Sequence, residues 1–371
     1  MHEHEFYRQL IQRYLNNTAT DQELEVFFAL LEQGRLDPVL EDQLSVAYQQ
    51  AMEEAVQENH KSRPRVRWLP FAAAAAILVV LVGAWMFFLT DTHPSTDDAQ
   101  AGNDVRAEEI APGGSRATLR LADGRTIDLS EVEQGIVVGD ENITYVDGDT
   151  LLLTPSEMLV LTTPNGGTYQ VTLSDGTKVW LNAASTLKYP SRFDEHDRIV
   201  ELVGEGYFEI EKDTKRPFRV RSAGQEVDVL GTSFNISAYP DEADVRTTLV
   251  AGTVQIVNLQ SRTVNRLKPG EQAVVAGEAM RIEKVDVEQY TAWKNGFFYF
   301  DRVPTQVAIA QLARWYDLDV IYEGEKPQAN VYAYIDKRKP LGDVLKSFEE
   351  SGLRFQVTQS GDRKQLIVLG D

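Results

Sequence analysis

Hydrophobic positions recur along this chain with two periods, helical at first and alternating later, and one uninterrupted apolar run separates them. Residues 5–16 set Phe6, Leu10 and Tyr14 along one helical stripe, with Tyr7, Ile11 and Leu15 beside it. A second helix opens with the capping box Thr20, Asp21, Gln22 and Glu23, carries Leu24, Phe27, Phe28 and Leu31, and ends at Gly34. Asp37 and Pro38 start a third, with Leu40, Leu44, Ala47, Tyr48 and Ala51 on its apolar side. Three helices in about 55 residues make a marginal core, so this unit is expected to gain stability by binding a partner.

Residues 68–90 carry no charge. At about 1.5 Å per residue a helix here reaches about 33 Å, enough for a hydrocarbon core of about 30 Å. Its Leu, Ile, Val and Phe residues together favour insertion by roughly 3 to 7 kcal/mol. Lys61, Arg63, Arg65 and Arg67 precede the run, whereas Asp91, Asp97 and Asp98 follow it. The positive-inside rule then places residues 1–67 in the cytoplasm and the remainder outside. The long polar stretch ahead of the run argues against a cleaved signal peptide.

Residues 91–115 are rich in Asp, Ala, Gly and Pro and read as a linker leaving the membrane. Beyond them the period becomes 2. Leu119 and Leu121, then Asp123 and Gly124, then Ile127 and Leu129 form a hairpin signal. Val171, Leu173, Asp175, Gly176, Val179 and Leu181 repeat it at the same offsets, and residues 143–153 around Asp147 and Gly148 give a looser third. Asp-Gly at such sites predicts type I′ turns. Short alternating strands continue to about Val285, giving an all-β antiparallel domain that could be a sandwich, a barrel or a solenoid-like stack. Residues 297–371 follow the order β-α-β-β-α-β-β, a small α+β module of split βαβ type. Its open sheet would offer unpaired edges, and Phe297, Tyr299, Val320, Tyr322, Val331 and Ile335 are its candidates for contact with a partner.

The expected fold class is therefore a multidomain single-pass membrane protein. It comprises an all-α cytoplasmic domain (1–60), a basic juxtamembrane segment (61–67), a transmembrane helix (68–90), a linker (91–115), a β-rich domain (116–290) and the α+β module (297–371). Composition narrows the function. A net charge of −20 over 371 residues offers nothing to neutralise nucleic-acid phosphates. The one basic cluster is the juxtamembrane one, explained by topology and anionic lipid headgroups. The chain has no cysteine, and its five histidines are scattered without ligand-like spacing, so neither a metal nor a cofactor is expected. No nucleophile elbow, Walker loop or dinucleotide fingerprint is present, and 57 acidic residues bring carboxylates together by chance. An enzyme is not expected.

Several motifs fall in a fixed order over more than a hundred residues: Leu173 to Thr177 (Leu-Ser-Asp-Gly-Thr) with Trp180, Leu181 and Asn182; Tyr189 and Pro190 followed by Phe193; Gly204 to Phe208 (Gly-Glu-Gly-Tyr-Phe); Pro217 to Val220; Val229 to Phe234; and Leu267 to Glu271. This run closely resembles the periplasmic domain of FecR-type transmembrane anti-sigma factors, with Gly206 standing where that family often has Ala. The tail resembles the family's C-terminal module, itself similar to the short N-terminal domain of secretins and TonB-dependent transducers. The first helices resemble its anti-sigma segment more loosely. The resemblance implies a chain in the cytoplasmic membrane whose inner helices bind an extracytoplasmic-function (ECF) sigma factor, with Leu10, Ile11, Tyr14, Phe27, Phe28 and Leu31 contributing contacts. It implies a periplasmic part that takes its signal from the signalling domain of a TonB-dependent outer-membrane receptor. Some members are similar to proteins that cleave themselves at a Gly-Thr bond, which Gly231 and Thr232 match; a bend in a β-strand accounts for the same pair. The rival reading is an anchored binding module for an envelope glycan or peptide, with Trp180, Tyr189 and Tyr207 as an aromatic platform. Aromatics alternating in strands are more often core.

Overall fold

The computed structural model describes residues 103–370 apart from 105, 134, 140–141 and 154–156. The helices expected over 5–59, the sigma-contact candidates Leu10, Ile11, Tyr14, Phe27, Phe28 and Leu31, and the apolar run 68–90 lie outside the described residues. The expected fold class is corrected. What is described is mostly β with three short α-helices, and none of these helices is long and apolar enough to cross a membrane.

Strands from Gly114–Ser115 to Ala279–Lys284 join in one closed barrel. Two ladders of strands share its longest member, the twelve-residue Arg198–Glu209. The first half of that strand pairs with Ser185–Pro190 and Phe218–Ser222, the second half with Lys178–Leu181 and Ser233–Ala238. The changeover falls at Gly204, whose φ of 87° lies in the left-handed region. A Cβ there would come within 2.8 Å of the Ala184 carbonyl oxygen. Val200, Leu202, Phe208, Phe218 and Phe234 meet in the single core between the ladders, each at most 1% exposed.

All three Asp-Gly sites are hairpin turns, of a different type from the one the sequence predicts. At Leu121, Leu173 and Tyr145 the carbonyl accepts from the glycine N–H three residues on, at 3.0, 2.9 and 3.0 Å. Gly124, Gly176 and Gly148 have positive φ, whereas Asp123, Asp175 and Asp147 do not. Each is thus a type I turn followed by a left-handed glycine, with the aspartate carboxylate accepting the N–H two residues on at 2.9 to 3.0 Å. The Asp side chain itself supplies the local bond that favours this geometry over type I′.

The antiparallel expectation is also corrected. Arg198–Glu201 runs parallel to Phe218–Arg221, and Gly135–Val137 runs parallel to Gln170–Thr172. Parallel neighbours require a crossover, and the long strand supplies one. The chain leaves the first ladder at Gly204, runs through the second to Glu209, and returns at Phe218 pointing the same way.

Three α-helices follow the barrel: α1 (Val287–Thr291), α2 (Thr305–Tyr316) and α3 (Leu341–Glu349). Helices α2 and α3 bury Ile309, Leu312, Val344, Leu345 and Phe348 in a second core. The strands around them do not form one sheet as a split βαβ module would. Phe297–Pro304 pairs with Asn330–Asp336 alone, and Leu318–Glu323, Arg363–Leu369 and Arg354–Ser360 form another sheet. Its fourth strand is Asn103–Asp104, from the opposite end of the described chain. Asn103–Asp104 and residues 106–115, read from the sequence as part of a linker, are thereby built into the fold. Gly114–Ser115 also pairs with Gly167–Thr168 of the barrel.

Candidate functional site

The C-terminal module sits on the barrel through a buried polar seat. Glu205, from the second half of the long strand, accepts from Asn182 Nδ2 at 2.8 Å and Asn235 Nδ2 at 2.9 Å. Trp293 Nε1, just ahead of the module, donates to Asn235 Oδ1 at 3.2 Å. From the module itself, Lys337 Nζ reaches Asn182 Oδ1 at 3.4 Å and lies 3.9 Å from the centre of the Trp315 ring. Burial drives the Lys337 ammonium down from 10.5 to about 7, although the negative charge of Glu205 works the other way. Burial likewise raises the Glu205 carboxyl, opposed by its two asparagine donors. These groups meet only because the module is docked. Arg314 of α2 extends the seat, donating to Asp241 at 2.8 Å and Glu242 at 2.9 Å over the face of Tyr239. The carbonyl of Arg314, at the helix end, accepts the N–H of Gly166 from a barrel turn at 2.7 Å. Interfaces between domains of one chain are mobile by default unless large and apolar; here charge-assisted bonds fix the orientation.

The outward face of the two-stranded sheet is aromatic. Alternation puts Phe298, Phe300, Val331 and Ile335 inward and Phe297, Tyr299, Tyr332 and Tyr334 outward. Tyr332 and Tyr334 are 60% and 56% exposed. Phe297 stacks on Tyr334 at 4.9 Å between ring centres, and Tyr299 meets the same ring edge-on at 5.6 Å. The Tyr299 hydroxyl donates to Asp286 at 3.0 Å, which fixes its ring. The six contact candidates are therefore split three ways. Phe297 and Tyr299 lie on this face. Val320 and Tyr322 are half-buried on the other sheet, lining a cavity of about 540 Å³ with Tyr239 and Ala313. Val331 and Ile335 belong to the second core. Tyr332 and Tyr334 escaped the sequence reading, although period-2 alternation through residues 331–335 carries the signal.

The remaining candidates are occupied internally. Thr232 is buried, and its hydroxyl donates to the Thr253 carbonyl at 3.0 Å. Gly231 lies so close to Lys212 that a Cβ would come within 2.9 Å of that residue's Cα. This pair closes a tight strand crossing. Trp180 and Tyr207 pack edge-to-face at 5.8 Å, but Lys294 covers both rings, at 4.4 and 4.3 Å, while pairing with Glu209 at 3.1 Å. Tyr189 is fully buried in the barrel core. The three aromatics form no open platform. Among the described residues, no group of three or more His, Cys, Asp or Glu side chains could hold a metal ion.

Comparison with known proteins agrees with this architecture. Two crystal structures of a protein described as an anti-sigma factor from Parabacteroides distasonis, at 2.50 and 1.65 Å, are each 32% identical to this chain with a TM-score of 0.51. The first match covers 57% of this chain and 98% of the other, the second 56% and 97%. None of the curated proteins matches. Residues 160–255 match the family described as FecR protein and residues 297–366 that described as FecR, C-terminal, so the first segment lies within the barrel and the second spans the module docked on it. The chain belongs to the FecR family, a regulatory and generally non-enzymatic class, and is an anti-sigma factor of FecR type.

Proposed function

We propose that this chain holds an ECF-type sigma factor through residues 1–60 and takes its signal from the signalling domain of a TonB-dependent outer-membrane receptor through the C-terminal module. The observation that carries the receptor half is the outward aromatic face of Phe297, Tyr299, Tyr332 and Tyr334, on a module clamped to the barrel. Exposed aromatics clustered beside open strand edges suit strand addition, in which backbone bonds supply affinity and side chains supply specificity. The sigma half rests on the spacing of Leu10, Ile11, Tyr14, Phe27, Phe28 and Leu31 in the sequence and on the family. The charge-free run 68–90 with its basic flank supports a place in the cytoplasmic membrane, with residues 1–67 inside and the barrel in the periplasm.

The test uses the full-length chain. Co-purification with the cognate ECF-type sigma factor should be lost in Leu10→Asp and Phe28→Asp. Binding of the receptor's signalling domain should be lost in Tyr334→Ser with sigma binding intact. Retention of sigma binding in both aspartate variants sinks the first half, and retention of receptor binding in Tyr334→Ser sinks the second.

A further inference from the structure

The second core is completed by a segment that the chain order places far from it. Asn103 and Asp104 pair with Gln359 and Thr358 at the edge of the four-stranded sheet. Residues Ala107–Glu109 make one turn of 3₁₀-helix, and Ile110 behind it is 1% exposed in the second core. The Leu341 N–H, at the start of α3, donates to the Ile110 carbonyl at 3.0 Å. Next to it, Gly342 lies so close that a Cβ would come 2.9 Å from the Glu108 nitrogen and 3.1 Å from the Ala107 carbonyl carbon. Glycine at 342 is what lets the segment seat.

We propose that Asn103–Asp104 with residues 106–110 form a releasable strap. The C-terminal module's grip on it is the step that converts an event at the module into a change in the chain leading back to the apolar run at 68–90. This deepens the regulatory half of the proposed function and rests on it for the readout. Two features make the strap suited to the task. It is the one described piece of the module that continues in sequence toward residues 1–90, so release reaches that direction without unfolding the barrel. It is also held by a two-residue strand, one backbone bond to α3, buried Ile110, partly buried Ala107 and a 3.8 Å pair between Glu108 and Lys346, a smaller hold than either core. Local opening draws on such weakly held segments. The aromatic face lies in the same module: Asn330–Asp336 presents Tyr332 and Tyr334 outward and, through Val331 and Ile335, packs into the core that receives Ile110.

The test again uses the full-length chain in its membrane, with a sigma-dependent reporter. Gly342→Ala introduces the Cβ that the strap must move to accommodate. Trypsin cleavage after the exposed Arg106, measured by mass spectrometry of the fragments, should rise about tenfold, with cleavage after Arg125 of the barrel unchanged. The reporter should shift by about fivefold or more without any receptor stimulus. Pairing Glu108→Cys with Gly342→Cys should lock the strap. The Gly342 Cβ position is 3.0 Å from Glu108 Cγ, close to the separation of Cβ from the opposite sulfur in a disulfide, and the chain has no cysteine to compete. Oxidised, this variant should show lower cleavage after Arg106 and a reporter closer to wild type than its own reduced form. A reporter that stays at the wild-type level while Arg106 cleavage rises overturns the proposal. So does unchanged cleavage in both Gly342→Ala and Gly342→Leu. A reporter that ignores removal of the whole chain sinks the sigma reading itself, and the strap falls with it.

Discussion

In the barrel, Asp175 and Arg198 meet at 2.7 Å with side chains 4% and 1% exposed. In the C-terminal module, Tyr332 and Tyr334 stand 60% and 56% exposed. The barrel turns its most recognisable motifs inward. The Leu-Ser-Asp-Gly-Thr run exists because the Asp175 carboxylate closes its own turn, accepts the Thr177 hydroxyl at 2.8 Å and pairs with Arg198. Gly-Glu-Gly-Tyr-Phe exists because the long strand changes ladders at Gly204 and presents Glu205 to the seat. The module shows its outward aromatic face as plain alternation along two strands. The difference teaches that the motifs that identify this family are mostly folding instructions, while the contact surface proposed for the module is carried by residues no motif marks.

The contrast is open to attack at four points. Asp175→Ala strands the Arg198 guanidinium in the core and should cost about 3–5 kcal/mol, since removing one partner leaves an unpaired buried charge. Urea midpoints measure it, and Asp175→Ala combined with Arg198→Met should recover much of the loss; a single-variant cost below about 1 kcal/mol breaks the comparison at its strongest point. Gly204→Ala adds left-handed strain to a backbone clash and should cost roughly 2–4 kcal/mol, against about 1 kcal/mol for Gly148→Ala, where φ is also positive but the space is open. Equal costs would mean that the changeover at Gly204 is not tightly packed.

The seat sharpens the contrast through pH. Unfolded, Lys337 keeps its proton up to its usual 10.5; folded, it releases it near 7. Unfolding therefore takes up a proton between those values, and this residue makes stability rise with pH there, by at most about 1.4 kcal/mol per unit. Lys337→Met should flatten that rise in a series of thermal melts from pH 7 to 9.5. An unchanged slope would remove Lys337 from the account. The smallest effect on stability belongs to the exposed face: Tyr334→Ser should shift stability by about 0.5 kcal/mol or less. If it behaves as an interface anchor, receptor-domain affinity should fall by about thirtyfold or more, as for loss of about 2 kcal/mol. A large loss of stability instead would make Tyr334 a core residue in all but exposure.

Much of the fold was legible, for local reasons. Each Asp-Gly step marks a hairpin because an acidic side chain and a glycine act within three residues of one another. Helix α2 shows in its spacing because Ile309, Leu312 and Tyr316 share one buried stripe. Less of the site was legible. Val331 and Ile335 share a strand with Tyr332 and Tyr334, and sequence reading picked the inward pair. Apolar side chains fit a core and a docking face equally well, and the choice of face depends on which side the helices cover.

By itself the sequence determined the family, the β character of the chain from 116 to about 285, the hairpins and the order of elements in the last module. All of these rest on interactions between residues near one another in the chain. Only the tertiary structure decided the parallel pairings and the crossover at Gly204. It alone set Lys337 beside Asn182 in the seat and inserted Asn103–Asp104 with residues 106–110 into a module that begins at residue 297. Those features join positions scores or hundreds of residues apart, and their energies come from desolvated charge and from backbone approaching within van der Waals contact. Neither leaves a periodic trace in a one-dimensional string.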